Sequence, residues 1–357
     1  MTVPATFVKC VVWDLDDTIW AGTLLEDGDV RVNPAAVAAI RTLDSRGVLH
    51  SVASHNDADL AEAKLEELGL AEYFLVPQIN WQPKSVSVRA VAEALGIGVD
   101  TLAYVDDQPY HLGEVGAALP GVRCYPAEKI PTLVHLPELT LASVSIDAGR
   151  RRSLYRSQHR RDGDERTFTG PREDFLAGLR MIATVSPLGT ADLVRAEELT
   201  ARTHQLNTTG VTYGTDELAA LAGAADHRVL VTELTDRYGS CGTVGLTLLD
   251  FGPDQWDLRL FLLSCRVLTR GLGACLLAGL VGAARDAGVR LRARFVPSDR
   301  NRAMLVALRF SGFAIVAEDG DGMVLEHRGE VPVPSPYIEL RGLRSALDPC
   351  RPSEAAR

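Results

Sequence analysis

Apolar and polar positions follow one rhythm through the first 125 residues, in which a short apolar run is followed by a segment of helical period. The run from Phe7 to Trp13 predicts a buried strand. Asn33 and Pro34 read as a helix cap and first-turn proline, with Val37, Ile40 and Leu43 on one face and Gly47 closing the end. Val48 to Ala53 predicts a second strand, followed by a helix capped at Asn56 or Asp57 and running to Gly69. Tyr73 to Ile79, Leu102 to Val105 and Val122 to Tyr125 continue the strands; Lys84 to Leu95 and a segment from His111 continue the helices. Alternation of this length implies an α/β domain with a doubly wound parallel sheet, whose ligands sit beyond the carboxyl ends of the strands.

Past Ala127 the rhythm lapses. An irregular apolar stretch, Ile130 to Ile146, precedes Arg150, Arg151, Arg152, Arg156, His159, Arg160 and Arg161, which read best as a solvated linker helix. From Thr190 a helix with Leu193, Ala196, Leu199 and Thr203 on one face leads to three strands. These are Arg228 to Leu234, Thr243 to Asp250 and Trp256 to Leu263, an antiparallel meander with glycine-bearing turns at Gly239, Gly242 and Gly252. A helix from Arg270 to Ala287, a strand from Leu291 to Val296, a helix from Asn301 to Ser311 and strands from Ala314 and Met323 complete an α+β domain. The expected boundaries are 1–128 for the first domain, 129–180 for the connection, 181–330 for the second domain and 331–357 for an irregular, proline-bearing tail.

Bulk properties narrow the classes. At 357 residues with 46% apolar side chains the chain has the content of a globular protein with two or three domains. No run approaches the roughly 20 apolar residues of a membrane span, and Met1 to Lys9 lacks the order of a secretory signal, so no membrane partner and a cytoplasmic location are expected. Six scattered cysteines without CxxC spacing imply free thiols. A net charge of −10 argues against general nucleic-acid binding.

The chemistry-bearing residues fall at strand ends. Asp14, Asp16 and Asp17 close the first strand, Ser54 the second, and Asp106 and Asp107 the fourth; Lys84 opens a helix after Trp81-Gln82-Pro83. Taken singly each reads as a capped turn or a solvated charge. Together they supply a nucleophilic carboxylate, a neighbouring carboxylate as proton donor, a hydroxyl and an ammonium for phosphate oxygens, and further carboxylates for Mg2+.

Asp14-x-Asp16-x-Thr18, Ser54, Lys84 and Asp106-Asp107, in this order, resemble the four motifs of the haloacid dehalogenase superfamily. The wording of Lys9 to Trp20, Ala53 to Asp57, Trp81 to Ser85 and Val105 to Pro109 is similar to the FkbH-like family within it, as are Gln205 to Asn207, Asp236 to Gly239, Ser264 to Val267 and Phe310 to Phe313. Asp17 departs from the family's usual Asn and His55 from its usual Lys. The second domain's element order resembles a GNAT-type acyltransferase fold, although Leu268 stands where that fold's motif wants Gln or Arg.

The resemblance implies an enzyme that takes 1,3-bisphosphoglycerate and delivers a glyceryl unit to an acyl-carrier protein for polyketide biosynthesis. It implies Asp14 as nucleophile, Asp16 as acid and base, and Ser54, Lys84 and Thr18 on the phosphate. Mg2+ would be held by Asp14, Asp16 through its backbone carbonyl, Asp106 and Asp107. Cys265 becomes the acyl acceptor, with Cys241 in a glycine-rich turn its exposed competitor. His204, Asn207, Arg266, Arg270, Gly271 and Gly273 become the acyl or pantetheine site, and the arginine run offers a second reading as a face for an acidic carrier. Three other readings stand beside this one: a stand-alone phosphatase, loading of another hydroxyacyl unit such as lactyl, and a scaffold that merely holds a cation.

Overall fold

Cys10–Trp13 form β1, four fully buried residues at the centre of a five-stranded parallel sheet. The computed structural model describes residues 7–140, 148–320 and 322–348, so Cys350 and part of the Ile130 to Ile146 stretch lie outside the described residues. The chain divides into two units, Met1–Arg156 and Ser157–Arg357.

In the first unit, α1 (Pro34–Ser45) begins where the Asn33 carboxamide oxygen accepts from the amides of Ala35 and Ala36. β2 (Leu49–Ser54) leads to α2 (Ala58–Glu67), capped by Asp57 rather than Asn56. β3 is only Gln78–Ile79, shorter than expected, because Tyr73 closes a 3-10 turn and Phe74 makes a single bridge to His50. α3 (Lys84–Leu95) stops at Gly96 in the left-handed conformation, φ 63°. β4 (Leu102–Asp106), α4 (Pro109–Ala118) and β5 (Arg123–Pro126) complete the unit. The strand order is β3-β2-β1-β4-β5. The chain therefore moves outward from β1 in one direction, then returns to β4 on the other side, which puts the topological switch between β1 and β4. Alternation along β1 feeds both faces: Val11 and Trp13 enter one core, Cys10 and Val12 the other.

Helix α5 (Arg151–Thr167) contains the boundary between the units, and its arginines correct the solvated-linker expectation. Arg151 donates to the Gly47 carbonyl at 2.8 Å, Arg152 pairs with Asp44 and lies over the Tyr73 ring, and buried Arg161 pairs with Asp236. Only Arg150, Arg156 and Arg160 of the run are exposed.

The second unit continues with α6 (Arg172–Gly178), β6 (Met181–Pro187), α7 (Leu193–Arg202), α8 (Thr215–Gly223), β7 (His227–Asp236), β8 (Gly239–Phe251) and β9 (Gln255–Leu263). Then follow α9 (Leu272–Asp286), β10 (Arg290–Phe295), α10 (Arg302–Phe310), β11 (Phe313–Asp319), β12 (Gly322–His327), β13 (Ile338–Arg341) and α11 (Leu343–Ala346). One mixed sheet has the order β11-β12-β10-β9-β8-β7-β6-β13. The meander β7-β8-β9 is antiparallel as expected, and β9 pairs in parallel with β10 through the α9 crossover. The expected fold class, a parallel α/β sheet followed by an α+β unit, is the one observed.

Several elements were not anticipated, among them α6, α8, α11, β6 and β13. β6 lies at the expected domain border, with Met181, Ala183 and Val185 alternating into the core. The stretch from Val331 is not wholly irregular: β13 pairs with β6, and a Cβ at Gly279 would lie 2.5 Å from Leu343 Cδ2, so this glycine lets the tail's leucines pack close to α9. No helix among the described residues is long and apolar enough to cross a membrane.

His50, fully enclosed on β2, accepts from Trp13 Nε1 at 3.0 Å, and burial lowers its pKa to about 3. An unfolded histidine titrates near 6.5, so between these values the unfolded chain binds a proton that the folded chain refuses, and stability falls as pH drops. His50→Gln is expected to remove about 2 kcal/mol of the stability lost between pH 7 and pH 5. Urea unfolding of both proteins across that range checks it; parallel pH profiles would contradict it.

Candidate functional site

Register brings the acidic strand ends together. Trp13 pairs with Val105 and the Asp14 amide donates to the Val105 carbonyl, so Asp14 and Asp106 leave adjacent strands at the same level, on the two sides of the switch. On the other flank Trp13 pairs with Val52, which places Ala53 and then Ser54 beside Asp14. Lys84, at the start of α3, extends its ammonium into this corner. Its Nζ lies 2.5 Å from Asp14 Oδ1, 2.8 Å from the Ala53 carbonyl and 3.6 Å from Asp106 Oδ2.

The corner is nearly dry, with Asp14 6%, Lys84 1% and Asp106 0% exposed. Burial raises the Asp14 pKa; the Lys84 ammonium opposes this and the Asp106 carboxylate adds to it. Burial, then Asp106, raises Asp107 as well. Two buried carboxylates against one ammonium leave a negative excess, costly at this depth unless a cation joins them. Asp14, Asp106 and Asp107 each offer an oxygen within 4.8 Å of the others, a hard-oxygen set that suits Mg2+.

Asp16 is held differently. Its Oδ1 accepts from Trp20 Nε1 at 2.7 Å and from the Leu24 amide at 3.1 Å, and its Oδ2 from Asn56 Nδ2 at 3.1 Å. Three hydrogen bonds therefore hold this carboxylate in one orientation. Asp17 is exposed, with φ 49°, and accepts from the Gly22 amide. Left-handed backbone suits Asp and Asn alike, which accounts for either residue there. Thr18 is wholly buried, and Ser54 is buried at the end of β2.

Several site residues went unassigned from the sequence. Asn56 was read as a possible cap, yet orients Asp16. Tyr104 donates its hydroxyl to Asp106, and His111 Nδ1 lies 3.3 Å from the same carboxylate. Tyr104 lies two residues before Asp106 on the same strand and His111 follows the Asp106-Asp107 turn, so proximity to the motif was the available signal.

In the second unit Cys265 is half-buried and opens a 3-10 turn, Cys265–Arg270, that separates β9 from α9. Buried Arg266 turns its Nε toward Ser264 Oγ at 3.4 Å. Cys241 is not the exposed competitor expected. The turn is at Arg237-Tyr238, and Cys241 lies within β8, 6% exposed, with Arg270 at 3.1 Å from its sulfur and Arg161 at 3.9 Å. Both guanidinium groups also bind the buried Asp236 carboxylate, so Arg270 is tied into this cluster.

Asn207 is enclosed and internally satisfied: its Oδ1 accepts from the Thr209 and Gly210 amides, and its carbonyl accepts from Asn301 Nδ2 at 3.0 Å. That makes it a loop anchor joined to the start of α10. His204 is half-buried. Gly271 is left-handed, φ 78°, as the turn into α9 requires, and a Cβ at Gly273 would meet Leu263 at 3.1 Å, so this glycine lets α9 pack close to β9.

Fold and site define an α/β unit with a carboxylate-and-ammonium crevice at the switch of a parallel sheet, joined in sequence to a mixed-sheet unit. Among solved structures, the chain is similar to the N-terminal part of the protein BF1531 from Bacteroides fragilis, containing a phosphatase domain complexed with Mg. That match has 28% identity over 39% of this chain and 42% of that one, with a TM-score of 0.35. It is also similar to the ribosomal-protein-S18-alanine N-acetyltransferase from Escherichia coli, with 20% identity over 42% of this chain and 97% of that one, TM-score 0.32. PaiA N-acetyltransferase from Thermoplasma acidophilum in complex with coenzyme A matches with 14% identity over 41% and 99%, TM-score 0.31. This chain thus spans under half the length of the first of these. No family profile matches the chain, and no curated protein matches its sequence.

Lys84→Met leaves Asp14 and Asp106 without their ammonium, and removing one partner of a buried pair is expected to cost ~3 kcal/mol. Thermal unfolding with and without Mg2+ checks this. The metal should raise the melting temperature more in the variant than in the unaltered protein; an equal response in both would contradict a shared charge site.

Proposed function

We propose that the chain is a two-unit enzyme of the haloacid dehalogenase-plus-GNAT kind, which removes phosphate with Mg2+ in its first unit and transfers an acyl group in its second. In its finer form the reading is FkbH-like: a glyceryl unit passes from 1,3-bisphosphoglycerate to an acyl-carrier protein. The observation that carries the phosphatase half is the meeting of Asp14, Asp106 and Asp107 with Lys84 at one strand-end corner. The acyl half rests on the motif resemblance around Cys265.

In this mechanism the Asp14 carboxylate attacks phosphorus; the new oxygen–phosphorus bond forms as the bond to the substrate oxygen breaks, and Asp16 supplies that oxygen's proton. Asp16 then takes a proton from water as the water oxygen attacks the aspartyl phosphate, returning Asp14 and releasing phosphate. Lys84 and Ser54 hold phosphoryl oxygens, while Asn56 and Trp20 keep Asp16 in place. Held by Asp14, Asp106, Asp107 and the Asp16 carbonyl, Mg2+ would neutralise the phosphate's negative charge.

In the acyl half, the Cys265 sulfur attacks the acyl-phosphate carbonyl. The carbon–sulfur bond forms, the carbon–oxygen bond to phosphate breaks, and the thiol proton leaves to solvent. Exchange with the carrier thiol then moves the acyl group on and restores the Cys265 thiol.

Intact-mass measurement of a carrier protein incubated with enzyme, Mg2+ and 1,3-bisphosphoglycerate tests the reading. A glyceryl adduct is expected, lost in Cys265→Ser and appearing as phosphoglyceryl in Asp14→Asn. Phosphate release without any carrier adduct, unaffected by Cys265→Ser, would leave a stand-alone phosphatase. A lactyl adduct from a lactyl donor in place of the glyceryl adduct would change the acyl group.

A further inference from the structure

Lys84 is the first residue of α3, and α3 has no cap from its own sequence. Pro83 stands at the cap position, with neither a side-chain acceptor nor a backbone N–H to contribute. The Val86 and Ser87 amides turn back to the Pro83 carbonyl at 3.0 and 3.3 Å, so the Lys84 and Ser85 amides precede any helical acceptor. Glu114, from the second turn of α4, meets the latter. Its Oε2 accepts from the Ser85 amide at 3.1 Å, and its Oε1 accepts from the same amide at 3.4 Å and from the Ser85 hydroxyl. A carboxylate over the start of a helix also gains from the helix dipole.

The two ends of Lys84 are thus held by different groups. Asp14 and the Ala53 carbonyl hold the ammonium, at 2.5 and 2.8 Å, while Glu114 holds the backbone one residue further along. The entry to α3 is tied as well, since Asn80 Oδ1 accepts from the Gln82 amide at 3.0 Å and from Ser87 Oγ at 3.4 Å. One turn earlier on α4, His111 lies 3.3 Å from Asp106, so this helix reaches both the carboxylate side and the ammonium side of the corner. A flexible four-methylene stem separates the Lys84 backbone from its ammonium, and only a fixed root keeps Nζ in one place. A misplacement of about 1 Å at a group that holds a reacting atom costs on the order of a hundredfold in rate.

Resting on the phosphatase reading above, we propose that Glu114 is a positioning residue for Lys84. By capping α3 from the neighbouring helix, it fixes where the Lys84 ammonium meets a phosphoryl oxygen. In this role Glu114 touches neither the phosphate nor Mg2+, and no bond is made or broken at it. It acts through the backbone of Ser85 alone.

Acetic anhydride labelling of the full chain, read by peptide mass spectrometry, reports on Lys84 without turnover, with exposed Lys129 as the internal reference. Lys84 is 1% exposed, so its labelling in the unaltered protein is expected to be slow. Glu114→Ala is expected to speed it about fivefold or more relative to Lys129. The milder Glu114→Asp, one methylene short of the Ser85 amide, is expected to act in the same direction. Glu114→Gln, whose amide oxygen still accepts from Ser85, is expected to stay within about twofold of the unaltered protein. With p-nitrophenyl phosphate and Mg2+, kcat/KM is expected to fall about tenfold or more in the Ala and Asp variants and to recover to within about threefold in Glu114→Gln. All rates are taken well below each variant's melting temperature, where a loss of stability alone moves neither readout. Unchanged Lys84 labelling in the Ala and Asp variants, or full kcat/KM despite faster labelling, would overturn the positioning role and leave the phosphatase reading standing. Faster labelling in those variants, with no hydrolysis by the unaltered protein, would support the hold of Glu114 on Lys84 and overturn the phosphatase reading.

Discussion

Charge balance at one buried corner governs the first unit. Asp14 and Asp106 sit almost without solvent at the ends of adjacent strands, and the Lys84 ammonium reaches both. Like charges this close and this dry are tolerated only with a cation between them. Lys84 supplies one such charge, and the oxygens of Asp14, Asp106 and Asp107 are grouped for another. The strand register enforces the proximity, because Trp13 opposite Val105 leaves no other place for the following aspartates. Folding thus groups three carboxylates and one ammonium, which the proposed function assigns to a divalent ion and a phosphate, and the hydrogen bonds of Asn56, Trp20 and Leu24 fix the Asp16 carboxylate that it assigns to proton transfer.

The second unit also contains a buried charge cluster, with a different consequence. Arg161 and Arg270 share Asp236 and close over Cys241, tying α5 and the turn before α9 to β7 and β8. Partners this well enclosed serve cohesion: losing Asp236 would strand two guanidinium groups. Cys265, by contrast, is half-buried at a strand end followed by a turn, whereas Cys241, Cys10 and Cys275 are buried.

Much of this was legible in the sequence because it depends on local rules. The Asn33 cap with Pro34, the Lys84 to Leu95 helix ended by Gly96 and the alternation of β1 all follow from short-range chemistry. The convergence of Asp14, Ser54, Lys84 and Asp106 followed from parallel topology, since strand ends share one edge. What escaped needs partners distant in sequence. Arg151, Arg152 and Arg161 read as solvated because a charge run carries no record of Gly47, Asp44 or Asp236. The strand at Ile338–Arg341 was hidden by prolines around it and by its dependence on Met181–Pro187 as a pairing edge. Cys241 read as exposed because glycines flank it, whereas two guanidinium groups from elsewhere seal it.

The central claim is that Asp14 is a covalent nucleophile at a Mg2+-loaded phosphate site. The enzyme, turning over p-nitrophenyl phosphate with Mg2+, is quenched in acid, reduced with borohydride and mapped by peptide mass spectrometry. The account predicts reduction of the Asp14 side chain to the alcohol, dependent on substrate and on Mg2+. Steady phosphate release with Asp14 unreduced, or reduction at another carboxylate, would contradict it.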